Sequence, residues 1–283
     1  MSSGLPTISL VTPSFDQAEY LEATLASVLD QEYPRLEYVV IDGGSSDGSV
    51  SIVERCEDRL AFWVSEPDNG HTDGLNKGFA HTSGEIMGWI NSSDLHLPWT
   101  LRTVAEVFRD VSQAEWIMGR QTVAAADGVP KAVFASAWNR YDFLGGRYRW
   151  LQQESVFWRR SLWERAGGRI DPSARYACDF ALWLRFMDLA PLYHVPVPLG
   201  LYRQHEVRRG TGGGAYADET RRLWEDWRAA APARERRRGR LVASVPGRAG
   251  DLWREALARS PLAPWYRHPH VVYDVARERW VVP

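Results

Sequence analysis

Four short apolar strands alternate with helices over the first hundred residues, and each strand stops at a small polar cluster or turn. That alternation constrains the fold more than any other feature of the chain. Ile8-Ser9-Leu10-Val11 reads as a buried strand. Asp16 and Glu19 then have capping-box spacing, and Leu21, Leu25, Val28 and Leu29 recur at helical intervals before Pro34. Tyr38-Val39-Val40-Ile41 is a second strand running into Asp42-Gly43-Gly44-Ser45-Ser46-Asp47-Gly48, where Asp47 is placed to cap a helix carrying Val50 and Val53. Phe62-Trp63-Val64 is a third strand. Asp68-Asn69-Gly70 turns the chain into a helix with Leu75 and Phe79, which Gly84 closes. Ile86-Met87-Gly88-Trp89-Ile90 is the fourth strand and ends at Asn91-Ser92-Ser93-Asp94. Such an order implies an α/β fold, a mainly parallel sheet with helices on both faces. Ligands of these sheets bind outside the carboxyl ends of the strands, where Thr12-Pro13-Ser14, Asp42 and residues 91–94 fall.

The second half is less regular. Trp116-Ile117-Met118 and Ala132-Val133-Phe134 read as strands of a hairpin turned at Asp127-Gly128. Residues 137–150, aromatic and rich in Gly and Arg, suggest a loop. A short helix over 162–166 ends at Gly167-Gly168, an amphipathic helix covers 179–187, and Tyr193-His194-Val195 is a late strand. Near residue 210 the composition changes: Gly212-Gly213-Gly214 reads as a link, and the rest of the chain is helical in pattern and Arg-rich, most densely over 234–240. The expected organisation is one domain over 1–210 and a helical C-terminal extension over 211–283.

A chain of 283 residues, 45% hydrophobic and 25% charged, can bury a sizeable core. Its net charge of -2 provides no global basic field, so nucleic acid is not an expected partner. Cys56 and Cys178 lie far apart without metal or redox spacing, as inert thiols in a reducing cytosol would. Residues 1–6 show no signal-peptide pattern, and no apolar run approaches the ~20 residues of a membrane span. A cytoplasmic protein is expected, in contact with the inner membrane surface at most peripherally, through the Arg/Trp-rich extension. The 14 tryptophans exceed what a core requires; sugar stacking and core packing both use this residue.

Three carboxylates stand where chemistry is expected, each with an ordinary alternative. Asp42 ends a buried strand and either bonds a base or ribose or simply forms the turn. Asp94 follows the fourth strand and either holds a hard divalent ion against substrate phosphates or caps the next helix. Asp179 opens an otherwise apolar helix and is either a partly desolvated general base or a plain N-cap. His205, beside Arg203 and Glu206, either ligates a metal, donates to a phosphate or, as is commoner for a lone His, does neither.

Taken together, Val11-Thr12-Pro13-Ser14-Phe15, the run from Ser27 to Pro34, and Val40-Ile41-Asp42-Gly43-Gly44-Ser45-Ser46-Asp47-Gly48 resemble glycosyltransferase family 2, inverting nucleotide-sugar transferases of the GT-A fold. The match continues through Ser65-Glu66-Pro67-Asp68, Asp73-Gly74-Leu75-Asn76-Lys77-Gly78, Gly88-Trp89-Ile90-Asn91-Ser92-Ser93-Asp94, Gln153-Glu154-Ser155-Val156-Phe157-Trp158-Arg159-Arg160 and the helix at Asp179, ending near Tyr202-Arg203-Gln204-His205. About the first 210 residues are covered. The resemblance implies a Rossmann-like GT-A domain with a nucleotide-binding half over 1–100 and an acceptor half over 101–210. It places Thr12, Pro13, Ser14 and Asp42 at the nucleobase and Asp73, Asn76 and Lys77 near ribose and diphosphate; Asn91 to Asp94 take the place of the metal motif, with Ser92 and Ser93 on the nucleotide and Asp94 on the metal. It makes Asp179 the catalytic base and sets His205 near the metal. Glu154, Trp158, Arg159 and the loop over 137–150 are the acceptor-side candidates. The chain departs from the family at Asn91 and Ser93, where acids are common, and at Ala181, where a second Asp often stands.

These features imply an enzyme that moves a sugar from a nucleotide-diphosphate donor, a UDP-sugar favoured, to a hydroxyl of a glycan or lipid-linked acceptor, as in polysaccharide or glycoconjugate biosynthesis. A divalent cation, manganese or magnesium, is the implied cofactor, held weakly until the donor binds. The rival reading is a nucleotide-sugar-binding pseudoenzyme with a degenerate metal motif. A nucleotidyltransferase is disfavoured because no basic Gly-rich phosphate loop opens the chain.

Overall fold

A computed structural model of the chain describes residues 4–135, 137–147, 151–205 and 214–283. The expected boundary at 210, the link residues Gly212 and Gly213, and Trp150 lie outside the described residues. The first half alternates as expected: β1 (Ile8–Ser14), α1 (Ala18–Leu29), β2 (Leu36–Asp42), α2 (Ser49–Glu54), β3 (Phe62–Ser65), α3 (His71–Ala80) and β4 (Ile86–Trp89). Next come β5 (Leu95–His96), α4 (Thr100–Asp110), β6 (Trp116–Ala124), β7 (Pro130–Phe134), α5 (Arg140–Leu144), β8 (Val156–Arg159), α6 (Arg160–Arg165), α7 (Cys178–Leu189), β9 (Leu192–Pro198) and β10 (Gly200–Arg203). The tail contains α8 (Ala215–Ala230), α9 (Ala233–Ala243), α10 (Gly247–Arg259), β11 (Val272–Asp274) and β12 (Arg279–Val281).

The main sheet has the order β3-β2-β1-β4-β8-β6-β10-β5, with β7 and β9 also paired to β6. β3, β2, β1 and β4 are mutually parallel, and β8 enters antiparallel between β4 and β6. Strand order reverses beside β1, so a crevice opens at the carboxyl ends of β1 and β4. The register sets Ser14, Asp42 and Ser65 side by side at that edge.

Two expectations of local structure need correction. The Asp16/Glu19 capping box does not form: Gln17 is the N-cap of α1 and makes no side-chain cap bond. Asp47 reaches across instead, accepting from Ala18 N–H with one oxygen and from Ser49 N–H and Oγ with the other, so one carboxylate starts both α1 and α2. The stretch expected as a loop contains α5, started by a true capping box between Asn139 and Asp142. The 127–128 hairpin forms as expected between β6 and β7.

The tail is not all helix, and it packs against the rest of the chain. Its β11–β12 hairpin brings buried Trp280 into the core beside α4, with Trp280 N–H donating to Asp110. Asp142 accepts from Tyr266 Oη at 2.7 Å and pairs with His268 at 2.9 Å. Trp224 and Trp227 donate their indole N–H to Phe143 O and to Asp188. These tail tryptophans are docking anchors. Among the described residues no helix is long and apolar enough to cross a membrane.

The tryptophan excess has a structural answer. Trp89, Trp116, Trp158 and Trp183 are among the largest fully buried side chains. Trp89 stacks on Trp183 at 5.5 Å and meets Trp158 edge-on at 5.5 Å, while Trp163, Phe79 and Phe186 close the cluster. Offset and edge-to-face pairs of this kind each add about 0.5–1.5 kcal/mol beyond burial. The cluster joins β4, β6 and β8 to α7, so it ties the helix that carries Asp179 to the sheet that carries residues 91–94.

Candidate active site

Asp42 is fully buried at the end of β2, and its carboxylate turns inward. Oδ2 accepts from the N–H groups of Gly44 and Ser45 and from Ser65 Oγ, and Oδ1 accepts from Ser45 Oγ at 2.5 Å. Gly44 has φ of +83°, a conformation that a side chain would strain. Asp42 therefore folds the 43–48 turn around itself. Asp42→Ala is expected to strand these donors and to cost about 2–4 kcal/mol, lowering Tm and nucleotide affinity together. An unchanged Tm with weakened binding by calorimetry would instead mean that Asp42 touches the nucleotide directly.

Thr12 and Pro13 are buried, and Thr12 Oγ1 shares a hydrogen bond with Tyr38 Oη at 2.8 Å. Ser14 Oγ is buried without a hydrogen-bond partner at the strand end. On α3, Asp73 accepts from Asn69 N–H, and Lys77 pairs with Glu66 at 2.9 Å and with Asp73 at 3.6 Å. The Asn76 amide donates to Ile170 O and its carbonyl accepts from Ile170 N–H, so both of its polar ends are engaged by backbone.

Residues 91–94 form a compact turn. Asp94 Oδ2 accepts from Asn91 Nδ2 at 3.1 Å, Oδ1 accepts from the Arg203 N–H at 3.0 Å, and burial pushes the carboxyl up to about 6. Ser92 is buried and Ser93 half-buried in the same turn, and Ser92 O accepts from Thr24 Oγ1. The His205 ring lies 4.6 Å from that of Tyr20, and the Arg203 guanidinium lies over the same tyrosine. A divalent cation takes several oxygen ligands. Asp94 brings one carboxylate with both oxygens already bonded, and among the described residues no three His, Cys, Asp or Glu side chains gather to hold an ion. The described side chains therefore do not fit a resident metal centre.

Glu154 stands on a 3₁₀ turn (Gln153–Ser155), fully buried, with neither carboxylate oxygen hydrogen-bonded. Burial pushes its pKa well above the usual range, and Asp94 and Asp179 push it further. β10 presses on this turn at Gly200, where a Cβ would stand 2.6 Å from Glu154. Asp179 occupies the first turn of α7, nearly buried, and burial pushes it up to about 6. Glu154 thus lies within electrostatic reach of both Asp94 and Asp179, acids from two other segments.

Two acceptor candidates are corrected. Trp158 lies inside the aromatic core with no exposed surface, where no acceptor reaches it. Arg159 pairs in register with Ile86, at the amino end of β4 and away from the strand-end crevice. It donates to Ala114 O, Phe108 O and Glu85 there, holding β8 to α4.

Several site residues carried no assigned role in the sequence. Ser65 joins the Asp42 network, and the Asp68 carboxylate lies 3.2 Å from where a Cβ on Gly43 or Gly74 would stand. Ser65 ends β3 as Asp42 ends β2, and Asp68 follows in the turn after it, so the strand-end rule would have found Ser65. His71 bridges Asn91 Oδ1 at 3.0 Å and Cys178 Sγ at 3.7 Å, linking the 91–94 turn to the start of α7. Tyr216, from the tail, donates to Asp179. No local pattern marks it.

Residues 9–117 match the family model described as glycosyl transferase family 2. Over that stretch the chain is similar to family 2 glycosyltransferases. The uncharacterized glycosyltransferase Rv1514c of Mycobacterium tuberculosis is 44% identical over 90 residues, which are 31% of this chain and 34% of that protein. A Bacillus subtilis relative, TuaG, named provisionally as a teichuronic acid biosynthesis glycosyltransferase, is 29% identical over 140 residues, 48% of this chain and 55% of its own. The chain thus spans only a third to a half of the length of these relatives. The crystal structure of S. aureus TarS 1–349 with UDP-GlcNAc superposes with a TM-score of 0.66 at 16% identity, covering 89% of this chain and 80% of TarS. A mannosyltransferase of Pyrobaculum calidifontis, solved with GDP-Man and Mn²⁺, gives 0.54 at 18% identity over 94% of this chain and 84% of its own. The fold is GT-A, and the likeness reaches past residue 210.

Proposed function

We propose that the chain is an inverting glycosyltransferase that transfers a sugar from a nucleoside diphosphate to a hydroxyl acceptor, with Asp179 as general base. The observation that carries this reading is Asp179 itself. It is a buried carboxylate in the first turn of α7, lifted to about 6, on the helix that packs over the crevice edge of the sheet. A base poised near the working pH is both largely ionised and able to take a proton. Asp179 removes the proton from the acceptor hydroxyl as that oxygen attacks the anomeric carbon. The C–O bond to the nucleoside diphosphate breaks on the opposite face, and configuration inverts. The turn built on Asp42, the unpartnered Ser14 hydroxyl and the half-buried Lys77 form the nucleotide side. Glu154, buried and unpartnered beside Asp179, has the chemistry to accept from a hydroxyl of the donor sugar or acceptor.

A polysaccharide or wall-polymer acceptor is supported by the name of TuaG, and a UDP-sugar by the TarS complex. The mannosyltransferase takes GDP-Man, so the base is decided by a thermal-shift panel of UDP, GDP, dTDP and CDP with and without manganese. A shift with UDP is expected, and a shift with manganese only when the nucleotide is present, because Asp94 alone cannot complete an ion's shell. A shift with GDP alone would overturn the UDP reading. The incomplete acid set also favours a second reading, a nucleotide-sugar binder without turnover. Slow donor hydrolysis distinguishes them, being expected of the enzyme and absent from the binder.

A further inference from the structure

α8 lies outside the stretch that resembles the family, yet it fastens to the start of α7 at two points. Glu219 accepts from the backbone N–H groups of Arg175, Tyr176 and Ala177 at 3.1, 2.7 and 2.7 Å, immediately before α7. Three residues earlier, on the same helical face, the Tyr216 hydroxyl meets both oxygens of Asp179, at 3.5 Å to Oδ1 and 3.3 Å to Oδ2. Thr220 is buried beside them, and Trp224 and Trp227 fasten the following turns. One residue of α8 thus fixes the segment that leads into the base, and another touches the base.

We propose that α8 belongs to the catalytic unit and that Tyr216 is a positioning residue, its hydroxyl orienting the Asp179 carboxylate for proton abstraction. This rests on the reading of Asp179 as the base. A hydrogen bond donated to a carboxylate favours its ionised form and opposes the effect of burial. Tyr216 is itself pushed well above the ordinary tyrosine range by burial and by the neighbouring carboxylate, so it keeps its proton and remains a donor at working pH. The other titratable groups facing Asp179 are Glu219 of α8, which pushes it up, Glu154 of the 3₁₀ turn, and Cys178 on α7 with His71 of α3 against it.

The test is the pH profile of kcat/KM for Tyr216→Phe and Glu219→Gln in the full chain, with Asp179→Asn alongside. In Tyr216→Phe the acid limb is expected to move up by about half to one pH unit, as loss of a hydrogen bond to a charged group implies. The deficit would then be several-fold near pH 6 and small near pH 8, with donor KM unchanged. In Glu219→Gln, which keeps an acceptor oxygen but loses the charge, the limb is expected to move the opposite way. A purely structural role would lower the rate equally at every pH, and an unmoved limb in both variants overturns the proposal. Should Asp179→Asn keep full turnover, the base reading itself falls. Should it lose turnover while the Tyr216→Phe limb stays in place, only the role of Tyr216 falls.

Discussion

Asp179→Asn is expected to lower kcat by about 10²–10⁴-fold, the range that a positioned general base contributes. Asparagine is nearly isosteric and still accepts from Tyr216 through its amide oxygen, so α7 and α8 should stay docked and Tm should change little. Donor affinity should also hold, because the proposed nucleotide side lies on β1, β2, the 43–48 turn and Lys77 of α3. A fall in kcat without a change in donor Kd is the signature of an interaction made only in the transition state. In the unmodified chain the same base dictates the pH profile. Burial raises Asp179, so it is largely protonated at pH 5 and largely ionised at pH 7. The value of kcat/KM should therefore climb through about pH 6 and level off above. Turnover that is flat from pH 5 to 8, or retained in the asparagine variant, would remove Asp179 from the role.

Trp158→Ala is expected to cost about 3–5 kcal/mol of stability, the usual effect of emptying a large aromatic site in a core. Trp158 packs against Trp89, Trp163, Trp183, Phe79 and Phe186 at centroid separations of 5.5–6.3 Å. No single neighbour can move to fill the space, since each is itself held in the cluster, so the cavity term should persist. A Tm lower by several degrees or more is the expected reading in thermal unfolding. Activity should fall with it, because the same cluster holds α7 against β4. An unchanged Tm with a raised acceptor KM would restore the expectation that Trp158 meets a sugar.

Much of the nucleotide half was legible because its signals are local. A buried parallel strand is a short apolar run, and the residue that ends it stands at the ligand edge whichever helix comes next. That rule located Ser14, Asp42 and Asp94 without any knowledge of contacts. It applies equally to Ser65, which ends β3 in the same way but stands out in the sequence only as part of a motif. The helix of Asp179 was legible from its period. The capping box at Asp16 was not, because spacing alone does not say that the Asp16 carboxylate accepts instead from Ser46 N–H while Asp47, from a different loop, takes the Ala18 N–H.

The acceptor half was harder to read because its residues have roles that depend on who lies opposite. Trp158 and Arg159 are adjacent on β8 and point to opposite faces. One enters the aromatic core and the other a clamp beneath α4, both away from the crevice. Asn76 sits one residue from Lys77, yet the 168–171 segment, distant in sequence, engages both of its polar groups. The order of strands and helices, the α/β class and the strand-end acids were determined by the sequence by itself, since periodicity and strand termination are properties of neighbouring residues. Only the tertiary structure decided that Trp89, Trp116, Trp158 and Trp183 pack together, that no metal cluster gathers around Asp94 among the described residues, and that a tyrosine from the tail touches Asp179. Burial, pKa and hydrogen-bond partnership arise from contacts between distant segments, and no local pattern carries them.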